Sequence, residues 1–139
     1  MPDLDNTRRI ADELEIRNVV AQIAHHSDDG PLELYGSRFT VDALWEMPGA
    51  AVRRGRGEIL AAAVSRRNAG TTGPGSGTRH VITTVAVQVE GDHAAAESYW
   101  LFYGNTDVEP ELRSMGKYRD SFLRTADGWR LSRRLITPG

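Results

Sequence analysis

Histidine and carboxylate side chains are the residues of this sequence best suited to chemistry near neutral pH. Its 139 residues include four histidines and 19 acidic residues but no cysteine. An imidazole has an unperturbed pKa of about 6.5, so it can accept or donate a proton at physiological pH. The lack of cysteine excludes disulfides, thiolate catalysis and cysteine-ligated metals. The sequence therefore favours acid–base chemistry, and redox chemistry would need a bound cofactor.

The histidines are not spaced as metal ligands. His25 and His26 are adjacent, so on a helix their side chains diverge by about 100°. No HxxxH or HxxEH spacing occurs, and His93 follows a Gly91-Asp92 turn where solvation is expected. We therefore expect no metal site.

A glycine-rich stretch, GTTGPGSG at residues 70–77, superficially resembles a phosphate-binding loop. It lacks the following Lys-Ser/Thr pair and precedes a predicted strand, so no helix N-terminus is available to bind an anion. We expect a flexible loop that could cover a cavity, and no cofactor.

Charge and hydropathy exclude two classes of partner. The net charge is −2 and the pI is about 6.1, with arginine pairs interleaved with acids, which argues against nucleic acid. The N-terminus is too polar for a signal peptide, and no apolar run approaches the roughly 18 residues of a membrane helix. These features favour a cytoplasmic protein without a membrane partner.

The hydrophobic pattern predicts helices in the first half and strands in the second. Ile16, Val19, Val20 and Ile23 recur at helical spacing. The expected elements, in chain order, are an amphipathic helix ending near Gly30, a helical turn at 32–39, strands at 43–47 and 51–54, a helix at 58–68, and strands at 79–90, 93–105, 112–125 and 129–137.

The four C-terminal strands should form an antiparallel meander, because Gly91-Asp92 and Asp127-Gly128 are dipeptides typical of hairpin turns. Together the elements predict one α+β domain over residues 1–139. Its sheet is expected to be curved, cone-shaped and antiparallel with a mixed edge, and about three N-terminal helices should cover the concave face. Such an arrangement leaves a pocket between the layers.

Four segments of this chain resemble the SnoaL-like, or nuclear transport factor 2-like, superfamily. They are ELEIRNVVAQIAHHSDDGPLELYGSRFTVDALWEMPG, TRHVIT, GDHAAAESYW and GKYRDSFLRTADGWRLSRR, and they follow in the family's order over nearly the whole chain. The nearest branch is similar to scytalone dehydratase, bile-acid dehydratase and hexachlorocyclohexane dehydrochlorinase. The resemblance implies removal of a proton and a leaving group by an aspartate–histidine dyad.

This resemblance maps the dyad onto Asp28 and His80, with Asp29 as an alternative partner for the histidine. A carboxylate on one ring nitrogen would fix the tautomer and stabilise the imidazolium that forms when the other nitrogen takes a proton. It also implies pocket walls at Trp45, Trp100, Phe102 and Tyr118, with Arg134 near the end of the last strand. Strand alternation predicts that Ser98 shares the face of Trp100 and Phe102. Arg134 could instead point outward into solvent. If it points inward, its buried charge would need a carboxylate or a ligand anion as a partner.

The sequence departs from the family at one position that affects catalysis. The dehydratases carry a tyrosine four or five residues before the dyad aspartate, where this chain has Ala24 and Ile23. Tyr118 or His26 could supply the missing proton to the leaving group.

Three functions remain open at this stage. The first is a cofactor-independent lyase or isomerase acting on a small hydrophobic molecule, which could be cyclic. The second is a non-catalytic ligand-binding or assembly domain similar to the β subunits of aromatic-ring dioxygenases, and the third is a polyketide cyclase-like enzyme. Each allows a homodimer or a higher homo-oligomer built on the outer sheet face, with Val85, Val87, Tyr99 and Leu101 as candidate contacts.

Overall fold

The chain folds as helices packed on a curved, unclosed sheet. The computed structural model describes residues 4–139, and none of the helices there is long and apolar enough to cross a membrane. Its elements are α1 (Leu4–Asp29), α2 (Leu32–Ser37), β1 (Phe39–Met47), β2 (Ala51–Arg54), α3 (Gly55–Asn68), β3 (Arg79–Glu90), β4 (His93–Gly104), β5 (Glu111–Thr125) and β6 (Gly128–Pro138). The predicted α+β class and element order are confirmed.

The sheet has the strand order β2-β1-β6-β5-β4-β3. β3 to β6 form the expected antiparallel meander, while β1 pairs in parallel with β6 and antiparallel with β2. The mixed edge predicted from the sequence is therefore present. This order places β3, β4, β5 and β6 side by side, so that their inward-facing side chains share one surface beneath the helices.

The core lies between α1 and the inner sheet face. Ile16 and Val20 of α1 are buried, as the helical spacing predicts, and they pack with Phe122, Trp129 and Leu131, which are fully buried. Burial of each such side chain contributes about 1.5–3 kcal/mol relative to exposure. α1 is therefore fixed firmly over the sheet, and its C-terminal turn has a defined position above β3.

β1 begins four residues earlier than the hydrophobic pattern predicts. Phe39 was expected in the preceding helical turn, but it opens β1, pairs with Leu131 and is completely buried. The register of β1 with β6 shifts between Phe39 and Leu44, and this irregularity breaks the alternation that would reveal the strand. α3 likewise begins at Gly55, three residues before its predicted start.

The prediction that Val85 and Val87 lie on the outer sheet face is wrong. The register of β3 with β4 shifts between Thr83 and Ala86, and Thr84 has a φ of 48°, in the left-handed region. The extra residue inverts the alternation beyond it, so both valines pack against the core. Tyr99 remains outside, with 39% of its surface exposed.

Candidate active site

A cavity of about 230 Å³ lies between the helices and the concave face of the sheet. Its wall is mostly apolar, with aromatic side chains from β1 and β4. The apolar contributors are Val20, Ile23, Ala24, Trp45, Met47, Ile82, Trp100, Phe102 and Ile136. The polar contributors are Ser27, Tyr35, Arg66, Thr71, Thr72, His80, Ser114, Tyr118 and Arg134. This pattern of apolar walls with a few polar groups is typical of small-molecule sites.

Asp28 and His80 form a close pair at one side of this cavity. Nδ1 of the His80 ring lies 2.7 Å from Oδ1 of Asp28, and the backbone N–H of His80 donates to Oδ2 over 2.7 Å. The Asp28 side chain is 1% exposed and that of His80 is 20% exposed. Neighbouring Asp29 is exposed, so the structure selects Asp28 as the partner of His80.

The Asp28 carboxylate determines which ring nitrogen of His80 is free. An ionised carboxylate only accepts hydrogen bonds, so Nδ1 donates and the neutral ring keeps its lone pair on Nε2. The ring lies on the cavity wall and contacts Phe102, with 4.7 Å between ring centroids. A base is thus presented to an apolar space, with a buried anion behind it.

The end of α1, which carries Asp28, is held by an arginine of α3. Nη2 of Arg67 donates to the carbonyl oxygens of His26 and Ser27, at 2.8 and 3.3 Å, and also to that of Gly30. The Ser27 carbonyl belongs to the last turn of the helix, where carbonyls lack intrahelical partners, whereas the His26 carbonyl also accepts from the N–H of Gly30. A cation there also complements the helix dipole. Arg67 is therefore a positioning residue for the pair.

A buried ion pair supports the cavity wall farther along the sheet. Arg134 points inward and donates to both oxygens of Asp120, from Nε at 2.8 Å and from Nη2 at 2.9 Å. Burial is the largest single influence and acts to lower the pKa of Arg134, but the Asp120 charge and its hydrogen bonds, with smaller contributions from Tyr118 and Tyr35, together outweigh burial and the pKa is raised. The guanidinium also lies over the ring of Tyr118, 3.7 Å from its centroid. The carboxylate that an inward Arg134 would need is Asp120, which the sequence analysis did not identify.

Two tyrosines bring hydroxyl groups to the cavity. Tyr118 is on β5 and Tyr35, which the sequence analysis missed, is on α2; they are 8% and 3% exposed. Neither hydroxyl forms a hydrogen bond with another group within residues 4–139. Burial raises the pKa of Tyr118 to about 12, so its hydroxyl stays protonated at physiological pH. In the sequence, the feature that could have indicated Tyr35 as a site residue is its position in the predicted helical turn that follows Asp28.

Most of the predicted wall residues lie on the cavity: Trp45, Trp100, Phe102, Tyr118 and Arg134. The structure does not bring His26 or Ser98 to it. Ser98 faces inward and is buried, but it lies beside Ala96 at the border with the core.

His26 is turned away from the cavity because of its position on the α1 surface. The cavity side of α1 carries Val20, Ile23, Ala24 and Ser27, and His26 is about 100° from that row. Its side chain lies beside Gly30, and burial followed by the nearby Arg38 charge lowers its pKa.

The glycine-rich loop at 70–77 forms part of the cavity wall. Thr71 and Thr72 line the space. Thr78 Oγ1 donates to the carbonyl oxygen of Thr71 over 2.9 Å and lies 2.8 Å from Ser76 Oγ. The loop is therefore tied to the start of β3, two residues before His80.

No group of three or more His, Cys, Asp and Glu side chains comes together in the described part of the chain in a way that could hold a metal ion. The polar groups at the cavity are instead suited to proton transfer and hydrogen bonding.

The comparisons with known proteins agree with this architecture. The family model described as "SnoaL-like domain" matches residues 8–135. A nuclear transport factor 2-like protein with a cystatin-like fold from Novosphingobium aromaticivorans is 27% identical, with a TM-score of 0.85 over 99% of this chain and 91% of that one. None of the curated proteins compared with the chain matches it.

Two other solved structures share the fold at lower identity. A proposed dehydratase of this fold family from Streptomyces avermitilis is 19% identical, with a TM-score of 0.78 over 94% of this chain and 98% of that one. ActVI-ORFA from Streptomyces coelicolor is 22% identical, with a TM-score of 0.74 over 91% and 96% of the two chains.

Proposed function

This chain belongs to the SnoaL-like domain family, and we propose that it is a cofactor-independent lyase or isomerase in which His80, held by Asp28, takes a proton from a small hydrophobic substrate. The observation that carries the proposal is the 2.7 Å contact between Asp28 and His80 at the wall of an apolar cavity. An imidazole base oriented by a buried carboxylate is the arrangement that general-base catalysis uses.

In the proposed reaction the lone pair on Nε2 of His80 removes a hydrogen from a substrate carbon. The electron pair of that C–H bond becomes part of a new double bond. In an elimination the leaving group departs with its own bonding pair as that double bond forms, and the His80 imidazolium gives its proton to the leaving group or to water. In an isomerisation an adjacent double bond of the substrate shifts, and the proton returns to another carbon. Asp28 stabilises the imidazolium that exists between these steps.

The cavity supports a compact substrate and has room for one with a ring. Its volume of about 230 Å³ lies at the small end of ligand sites, and Trp45, Trp100 and Phe102 supply flat apolar walls. A cyclase acting on a short polyketide would use the same base and wall, and would differ in joining two carbons of one substrate.

A non-catalytic binding or assembly role is the second candidate. It is favoured by apolar side chains exposed on the outer sheet face, among them Val81, Tyr99 and Met115. A homodimer through this face would cover them. In that role the cavity would bind apolar ligands without chemical change.

Proton abstraction is tested by following hydrogen exchange in D2O by NMR. The panel is a set of small cyclic compounds with an activated C–H bond, next to a carbonyl, a halogen-bearing carbon or a conjugated double bond. We expect wild-type protein to speed exchange or elimination for at least one compound, and His80→Gln to lose about a hundredfold or more of that rate. His93→Gln, at an exposed histidine that begins β4, is the matched control and should behave as wild type. Binding without exchange across the panel would favour the non-catalytic role.

A further inference from the structure

Arg66 on α3 has no part in the proton transfer proposed above. Its half-buried side chain lies at the cavity wall, with the guanidinium over the ring of Trp45, 5.9 Å from the ring centroid. It forms no hydrogen bond or ion pair with another side chain or backbone group within residues 4–139. Helical arginines commonly pair with an acid three or four residues away, but the acid of α3 is Glu58, eight residues earlier. Arg66 therefore places an unpaired cation at a mostly apolar cavity.

Two other arginines near the cavity have their charge satisfied within the fold. Neighbouring Arg67 donates to carbonyl oxygens at the end of α1. Arg134, the second guanidinium of the cavity wall, donates to both carboxylate oxygens of Asp120. The charge of Arg66 is left available to a molecule that enters the cavity.

The cavity wall offers no negative group to Arg66. No aspartate or glutamate side chain lines this space within residues 4–139. A cation beside apolar surface attracts an anion more strongly than a cation in bulk water does, because the effective dielectric constant there is lower. The wall is therefore electrostatically suited to a ligand that brings one negative charge.

The form of the guanidinium indicates which anion fits. A guanidinium that lies over an aromatic ring keeps N–H donors at its edges, and a carboxylate can accept from two of them at once. One free guanidinium balances the single charge of a carboxylate but only half of that of a phosphate dianion. These features favour a carboxylate.

A single loop links Arg66 to the base. The N–H of Thr71 donates to the carbonyl oxygen of Arg66 over 2.9 Å, and Oγ1 of Thr78 donates to the carbonyl oxygen of Thr71 over 2.9 Å. His80 follows two residues later on β3, and both Arg66 and His80 line the cavity. A ligand whose anionic group is bound at Arg66 can thus extend its apolar part into the space beside His80.

We infer that Arg66 binds a carboxylate of the substrate, so that the substrate class is a small apolar carboxylic acid. This inference rests on the proposed function and adds to it a substrate class and a specificity-determining residue. The carboxylate serves to bind and orient the substrate. No bond to it forms or breaks, because the proton that His80 takes comes from a C–H bond in the apolar part.

The test uses the binding of three aromatic probes of similar shape at pH 7.5, followed by probe fluorescence. They are 2-naphthoate, which carries a carboxylate, 2-naphthamide, its uncharged counterpart, and naphthalene. We expect wild-type protein to bind 2-naphthoate about tenfold more tightly than 2-naphthamide. Arg66→Gln should remove this preference and leave the affinities for 2-naphthamide and naphthalene unchanged. Arg66→Lys, which keeps the charge but loses the planar pair of donors, should retain part of the preference.

Arg53→Gln is the matched control, because it removes an exposed arginine of β2 that does not line the cavity. It should bind all three probes as wild type does. Thermal unfolding checks that each variant is folded.

The outcomes separate this inference from the proposed function. His80→Gln should keep wild-type affinity for 2-naphthoate, because Arg66 remains. Arg66-dependent binding of 2-naphthoate without any hydrogen exchange would sustain the carboxylate site and reject the enzyme. Three results would overturn the inference even if exchange depends on His80: equal affinity of the wild-type protein for 2-naphthoate and 2-naphthamide, an unchanged preference in folded Arg66→Gln, or an equal loss in Arg53→Gln.

Discussion

Both carboxylate oxygens of Asp28 contact the same residue, His80, one through the ring Nδ1 and the other through the backbone N–H, each at 2.7 Å. The carboxylate therefore fixes the start of β3 and the orientation of the imidazole at once. A side chain held in this way is ready to react without reorganisation, which is a condition for efficient proton transfer.

Replacement of Asp28 by asparagine should separate orientation from packing. The amide has nearly the same shape, but an NH2 donor replaces one of the two accepting oxygens, so one of the two N–H groups of His80 loses its acceptor. We expect the rate of His80-dependent hydrogen exchange to fall by about 10²–10⁴-fold. Asp29→Asn, one residue away and exposed, should change it little. Equal rates for the two variants would remove Asp28 from the mechanism.

Gly116 makes room for Trp100 on the cavity wall. A Cβ added there would lie 2.3 Å from Cζ2 of Trp100 and 2.6 Å from the carbonyl oxygen of Thr137. Gly116→Ala should lower the free energy of unfolding by about 1–3 kcal/mol and weaken naphthalene binding, because the displaced indole would enter the cavity. Gly57→Ala, where a Cβ meets nothing within 4 Å, is the control. Unchanged stability and binding in Gly116→Ala would contradict this packing.

The Asp120–Arg134 pair should be costly to break and less costly to remove. Asp120→Asn leaves a buried guanidinium without its counter-charge, and we expect a loss of about 3–5 kcal/mol in urea unfolding. Asp120→Leu combined with Arg134→Met removes both charges and should lose less than the single variant. A double variant less stable than Asp120→Asn would show that the pair itself contributes net stability.

Much of the fold follows from patterns that the sequence displays directly. Helical spacing around Ile16 and Val20, and hairpin dipeptides between long strands, predict a helix over an antiparallel meander. The outer-face prediction failed at Val85 and Val87, because one irregular residue, Thr84, reverses every side chain beyond it. A local backbone conformation of that kind leaves little trace in hydrophobic alternation.

The candidate site was only partly predictable for a similar reason. The family resemblance supplied Asp28 and His80, which are 52 residues apart. Nothing local in the sequence indicates that Asp120 would pair with Arg134, or that α2 would bring Tyr35 to the cavity. Those contacts depend on the tertiary arrangement of strands and helices.

Acid should destabilise the protein through Asp12. Hydrogen bonds from Arg124, chiefly, and from Trp129 hold the pKa of Asp12 below its ordinary 3.8. A carboxyl group with a lowered folded pKa adds stability above its unfolded pKa, and that stability is lost as the pH falls through the folded value. The free energy of unfolding, measured by urea titration, should therefore fall below about pH 4.

Asparagine variants identify the contribution of Asp12. Asp12→Asn should be less stable at neutral pH and show a flatter fall in acid. Asp92→Asn removes the exposed partner of the same arginine and should keep the wild-type pH dependence. An unchanged acid profile in Asp12→Asn would place the acid-sensitive group elsewhere.

The most direct test of the central claim is the ¹⁵N NMR spectrum of the His80 imidazole in the free protein at about pH 8, where an ordinary imidazole is neutral. Comparison with His80→Gln identifies the signals. If Asp28 holds Nδ1–H and leaves the lone pair on Nε2, the spectrum should show a protonated Nδ1 and an unprotonated Nε2, and Asp28→Asn should disturb this distribution. A proton on Nε2 in the wild-type protein would contradict the claim that His80 presents a base to the cavity.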